Sequence, residues 1–162
     1  MNELVAQEIN DAVFKDNVDL LDNIMSRGVD INAVYSDYEK ALHIAIKYTA
    51  VGCVHYLLEN NIKINLRNSF GNTELMSILG LYNNEKIDKI IEMLINAPDL
   101  NFEQTHDKFG WNYLHFACYS GCVKLVKKLA TKFQHFYAAD NKGKYLLHIV
   151  AERDFTEVII AL

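Results

Sequence analysis

Apolar residues recur along this chain at helical spacing, and they do so in five separate places. Leu20, Leu21, Ile24 and Met25 fall on one face at i, i+1, i+4 and i+5. Val54, Leu57 and Leu58 repeat that face, as do Ile90, Ile91, Met93 and Leu94. Leu125, Val126 and Leu129 follow, then Val158, Ile159 and Leu162. Each stripe predicts an amphipathic helix whose apolar side needs a neighbour to cover it. A further helix is expected ahead of the first stripe, from about Glu3 to Lys15. There Gln7, Glu8, Asn10, Asp11 and Lys15 interleave with apolar residues, the composition of a terminal element with a wet outer face.

The elements are copies of one unit. Ala41-Leu42-His43 recurs as Tyr113-Leu114-His115 and as Leu146-Leu147-His148. Ile9, Leu42 and Leu75 are spaced by 33 residues, as are Leu114 and Leu147; the step from Leu75 to Leu114 is 39. A second marker keeps the same beat, since Asn32 and Asn65 are also 33 apart. Gly71, Gly110 and Gly143 mark a turn ahead of the tripeptide position. A fixed period of this length signals a repeat array in which each unit buries its apolar face only by stacking on the next.

The pattern resembles the ankyrin repeat. Asp107 to Gly121, with Gly110, Leu114, His115, Ala117 and Gly121 in register, carries the resemblance best, and Asn141 to Ala151 is the next copy. The resemblance covers about residues 4–162 in five repeats, 4–32, 33–65, 66–101, 102–137 and 138–162, the last truncated within its second helix. It implies an all-α fold: a solenoid of stacked helix–turn–helix units with protruding loops, forming a single domain over residues 1–162. Departures are visible. No repeat keeps the family's Thr-Pro pair, although Thr73 keeps half of it. The third repeat has Met76 in place of the histidine and extra residues around Tyr82 to Lys86. The chain closes inside the apolar run Glu157-Val158-Ile159-Ile160-Ala161-Leu162, so the natural protein is expected to continue beyond residue 162.

Composition narrows the partners. Hydrophobic residues make up 51% and charged residues 23%, enough apolar material to exclude wholesale disorder. A net charge of -5 argues against nucleic acid, whose phosphates require an excess of Lys and Arg. Cys53, Cys118 and Cys122 are too few and odd in number for a disulfide framework, which points to a reducing compartment. No run approaches the roughly 20 apolar residues that span a bilayer, so no membrane insertion is expected. The first 20 residues lack a basic segment followed by an apolar one and do not read as a secretory signal. The expected location is the cytoplasm, or a host cell's cytosol if the chain is a secreted effector.

Candidate chemistry is sparse. His43, His115 and His148 occupy one repeat position, and recurrence fits a structural bridge better than a catalytic base needed once. In the ankyrin family that bridge between adjacent loops is the histidine's usual role. His115, Cys118 and Cys122 have the spacing of metal ligands, but a fourth ligand is not evident and Cys118 holds a core alanine position of the motif. Phosphate-binding, dinucleotide-binding, nucleophile-elbow and zinc-protease motifs are all missing. No catalytic residue, metal or cofactor is therefore assigned. Lys124, Lys127, Lys128 and Lys132 share one helix face, which reads as a solvated outer surface.

What the resemblance implies is a concave binding surface of loop tips and inner helices, engaging a partner protein or peptide. Transferred by motif position, the contact residues are Tyr35, Tyr38, Tyr48, Arg67, Phe70, Leu81, Phe109, Trp111, Tyr119 and Arg153. The aromatic share is notable because Tyr and Trp bury much area with few rotors. Two roles stay open for each aromatic: partner contact, or local stiffening between loops. The leading expectation is a non-enzymatic protein–protein interaction module. The alternative is a targeting or substrate-recognition segment of a larger enzyme or secreted bacterial effector, with its catalytic domain C-terminal to this segment.

Overall fold

Each predicted repeat carries one helix pair. The computed structural model describes residues 3–30, 32–36, 39–79, 84–132 and 137–162. The pairs are α1 (Glu3–Phe14) with α2 (Val18–Ser26), and α3 (Ala41–Lys47) with α4 (Val51–Glu59). Next come α5 (Glu74–Leu79) with α6 (Glu85–Asn96), α7 (Tyr113–Ser120) with α8 (Val123–Ala130), and α9 (Leu146–Glu152) with α10 (Thr156–Ala161). The all-helical expectation holds for the body of the chain. To it the structure adds a short antiparallel pair, β1 (Val34–Ser36) and β2 (Glu39–Lys40), with Val34 opposite Lys40 and Ser36 opposite Glu39.

The apolar stripes point inward as their period requires. Leu21 and Ile24, Val54 and Leu57, Ile90, Ile91 and Leu94, and Leu125, Val126 and Leu129 are all buried. In the last helix only Val158 of the predicted face is buried, while Ile159 and Ile160 are exposed. The first helices bury their own faces through Ile9, Ala12 and Val13, then Ala41 to Ile46, then Tyr113, Leu114, Ala117 and Cys118. Burial of each Leu or Ile contributes roughly 1.5–3 kcal/mol, which is what holds such short helices together.

The contacts group the chain into two compact units. One holds α1 to α4, α5 as far as Ile78, and α6; the other holds α7 to α10 within Asn101–Leu162. Within the first, α1 packs on α2 and α3, α2 and α3 both pack on α4, and α4 packs on α6. Within the second, α7 packs on α8 and α9, and α10 on both α8 and α9. Except for α6, for which only the packing on α4 is seen, each of these helices meets its own partner and the equivalent helix of a neighbouring repeat.

Polar side chains seal the joints of the first unit. Asn32 Oδ1 accepts the Lys63 backbone N–H at 2.7 Å, and Asn65 Nδ2 donates to the Asp99 carbonyl at 2.7 Å. Asp16 reaches forward to the start of α4, accepting from the backbone N–H of Gly52 at 3.2 Å and of Cys53 at 2.9 Å. These bonds satisfy donors that a helix start leaves open. Within the irregular third-repeat insertion, Asn84 caps α6 by accepting the Ile87 N–H at 3.1 Å. The earlier part of that insertion, Tyr82 included, lies outside the described residues.

Candidate functional site

Two turns in the second unit build the site. In the first, His106 N–H donates to the Trp111 carbonyl at 2.8 Å, and Gly110 N–H donates back to the His106 carbonyl at 2.7 Å. In the second, Asp140 N–H donates to the Lys144 carbonyl at 2.8 Å, and Gly143 N–H to the Asp140 carbonyl at 2.9 Å. The turn-opening residues are therefore His106 and Asp140. The sequence reading began the motif at Asp107, because the first turn is one residue longer than the second. Gly110 has φ +70, and a Cβ there would collide with the Asn141 side chain. Glycine is required on both counts. The loops bond to each other through Asn141, whose N–H donates to the Phe109 carbonyl at 2.9 Å and whose Nδ2 donates to the Lys108 carbonyl at 3.2 Å.

This pairing fixes an aromatic cluster. Trp111 Nε1 donates to Asp140 Oδ2 at 3.1 Å. Burial alone would raise the Asp140 carboxyl, but the Lys144 N–H, the Trp111 indole and the Lys142 N–H outweigh it and hold it below the usual carboxylate range. The Trp111 ring lies 5.8 Å from Phe109, 5.3 Å from Phe116 and 5.2 Å from Tyr119, centre to centre. Phe109 in turn stacks on His106 at 4.5 Å. The Arg153 guanidinium sits 4.1 Å from the Tyr119 ring centre and 5.2 Å from that of Phe155. Phe155 presses so closely on Gly121 that a Cβ there would lie 2.7 Å from its ring. Lys144 Nζ is held by both oxygens of Glu152, at 2.6 and 2.7 Å.

Together these residues enclose a cleft of about 370 Å³. Phe109, Trp111, Tyr119 and Ile149 form its apolar part, while Lys108, Lys142, Lys144 and Arg153 supply cations. Four residues chosen from the sequence, Phe109, Trp111, Tyr119 and Arg153, thus meet in one place. Of the two open roles of the aromatics, local stiffening is seen at Trp111. Trp111 braces two loops through Asp140, yet it also lines the cleft. Sequence reasoning missed Asp140 and Ile149 as part of this site. Trp111 and Asp140 stand 29 residues apart in adjacent repeats, an offset that no motif marks as a contact.

The remaining chosen residues do not join that cleft. Tyr48 packs edge-on against Phe14 at 5.3 Å, beside Lys47, Asn10 and Asp11 in a polar hollow of the first unit. Arg67 is turned into its own loop, with Nη1 donating to the Gly71 carbonyl at 2.8 Å. Phe70 is exposed at that loop's tip. Tyr35 lies in β1, and Tyr38 and Leu81 lie outside the described residues.

The repeated histidines bond to backbone. His43 Nε2 is 3.3 Å from the Asn72 carbonyl, and His148 Nδ1 accepts the Tyr145 N–H at 3.0 Å. His115 Nδ1 lies 3.3 Å from the Asn112 backbone nitrogen, and burial pushes its pKa down, keeping the ring neutral. Burial pushes the Cys118 thiol up to about 12, so it stays protonated and is a poor nucleophile. Among the described residues no three His, Cys, Asp or Glu side chains converge as a metal site, and no helix is long and apolar enough to cross a membrane.

Residues 9–101, over half of the chain, match the family model for ankyrin repeats in three copies. The cleft lies beyond the matched span, in two further helix pairs of the same pattern.

Proposed function

Because the chain belongs to the ankyrin repeat family, whose members are generally protein–protein interaction modules, we propose that it binds a partner protein or peptide through loop tips and first helices. The observation that carries this reading is the cleft of the second unit, where Phe109, Trp111, Tyr119 and Arg153 converge. Loop pairing through Asn141 and Asp140 sets these side chains in place before a partner arrives, which lowers the ordering cost of binding. Large aromatic anchors flanked by an arginine are the composition of binding hot spots. In this reading Tyr48, Arg67 and Phe70 of the first unit, with Tyr35, Tyr38 and Leu81, supply accessory contacts. The module itself performs no chemistry.

Affinity capture tests the proposal. Trp111→Ala and Tyr119→Ala are each expected to lose a captured partner by at least about tenfold, the scale of a hot-spot truncation. Far-UV circular dichroism is expected to show little loss of helicity. Unchanged capture by both variants would remove the cleft from the binding surface.

A further inference from the structure

The cleft carries a charge pattern opposite to that of the whole chain. Net charge is -5 over 162 residues, yet the cleft brings Lys108, Lys142, Lys144 and Arg153 against Asp140 and Glu152. Both carboxylates are already engaged. Asp140 accepts from the Trp111 indole and from the backbone N–H groups of Lys142 and Lys144, at 2.8–3.1 Å. Glu152 takes up the charge of Lys144. Among the described residues, Lys108, Lys142 and Arg153 make no ion pair, so their charge is left over for a ligand.

Arg153 is the most specific of the three. Its guanidinium carbon lies over the rings of Tyr119 and Phe155, 4.1 and 5.2 Å from their centres. Ring contacts use none of the five guanidinium N–H donors, which suit a planar, two-oxygen acceptor. Beside it lies the apolar wall of Phe109, Trp111, Tyr119 and Ile149. We propose that this cleft receives an acidic linear peptide segment, with one side-chain carboxylate on Arg153 and an adjacent apolar side chain against that wall.

Peptide is favoured over single-stranded nucleic acid by two features. Base stacking needs open ring faces. Tyr119 already carries Arg153 on one face, and Trp111 is surrounded by Phe109, Phe116 and Tyr119. A run of phosphates would also bring one negative charge per nucleotide, more than Lys108, Lys142 and Arg153 balance. A cleft of about 370 Å³ takes one or two side chains, while the spare cations sit on two loop tips and at the end of α9, so a chain continuing past the cleft meets more of them than a small carboxylate does. This inference rests on the binding-module reading and names its partner class.

The test uses the 162-residue chain and three sets of fluorescein-labelled peptides of about ten residues, each with one Phe or Leu. The sets differ in carrying two Glu, two Gln or two Lys near that residue. Fluorescence anisotropy is expected to rank Glu over Gln by about tenfold and to exclude Lys, with affinity falling as salt rises. Arg153→Gln is expected to erase the preference for Glu, and Lys142→Gln to reduce it about threefold. Both residues are exposed, and circular dichroism verifies that the variants fold. Equal binding of the Glu and Gln sets, no binding of any set, or an unaltered preference in Arg153→Gln overturns the proposal. So does tighter binding of an oligothymidylate, or binding of free phenylacetate as strong as that of the Glu set. If Trp111→Ala abolishes partner capture while Glu and Gln peptides bind alike, the binding module stands and the acidic class falls.

Discussion

Glu74 occupies the place where the family's repeat carries proline, and it does a different job there. It is 2% exposed, and its two oxygens accept the backbone N–H groups of Asn65 at 2.9 Å and Leu66 at 3.1 Å. The side chain thus ties the start of α5 to the loop before it. Burial outweighs those bonds and the nearby Lys40, and pushes the carboxyl up to about 7. A folded-state pKa above the unfolded one means the native state holds the proton more tightly. The stabilisation is full below the unfolded value of about 4.3 and is lost as pH rises through about 7. Urea unfolding is therefore expected to show lower stability at pH 8 than at pH 5, by up to a few kcal/mol on the order of the shift. Glu74→Gln is expected to flatten that dependence. An equally steep profile in the variant would assign it to other groups.

At the scale of elements, α7 is the helix the site depends on. Asn112 accepts the His115 N–H at 3.0 Å, and the His115 ring reaches back to the Asn112 backbone. This closed pair sits next to Trp111, so the start of α7 and the cleft wall share one anchor. Asn112→Ala is expected to cost about 1–2 kcal/mol in urea melts, the range for a lost helix cap. Much of this level was legible beforehand. The 3.6-residue period located five second helices, because burial of Leu21, Val54, Ile90, Leu125 and Val158 needs only that period. The β1–β2 pair was not legible, since strands of three and two residues leave no alternation to read. The site was half legible. Motif position placed Phe109, Trp111, Tyr119 and Arg153, but their meeting depends on hydrogen bonds to Asp140 and Asn141 from a different repeat. Tyr48 and Arg67 had the same positional credentials and turned to local partners instead.

At the scale of the whole molecule, stability is a sum over units and their joints, not a single core. Two buried thiols report on it separately. Cys53 lies in the first unit and Cys118 in the second, and burial pushes both up to about 12. Neither is expected to react with iodoacetamide in the folded chain, whereas the partly exposed Cys122 is. The second unit ends on α9 and α10, where Leu147, Ile159 and Ile160 are exposed and bury little. In rising urea, Cys118 is thus expected to label before Cys53. Simultaneous labelling would mean that both halves unfold in one step.

The joints of the first unit have a consequence for how this chain tolerates change. Asn32 and Asn65 each spend a side chain on a neighbour's main chain, at Lys63 N–H and at the Asp99 carbonyl. A carbonyl is offered by every amino acid, and an N–H by every one except proline. The side-chain end of each joint is therefore constrained, to a short acceptor at position 32 and to an amide donor at position 65, while the main-chain end is free to drift. Substitutional latitude in this array is lopsided: positions 63 and 99 can wander through nearly the whole alphabet of residues without loosening a contact that leaves positions 32 and 65 only a letter or two.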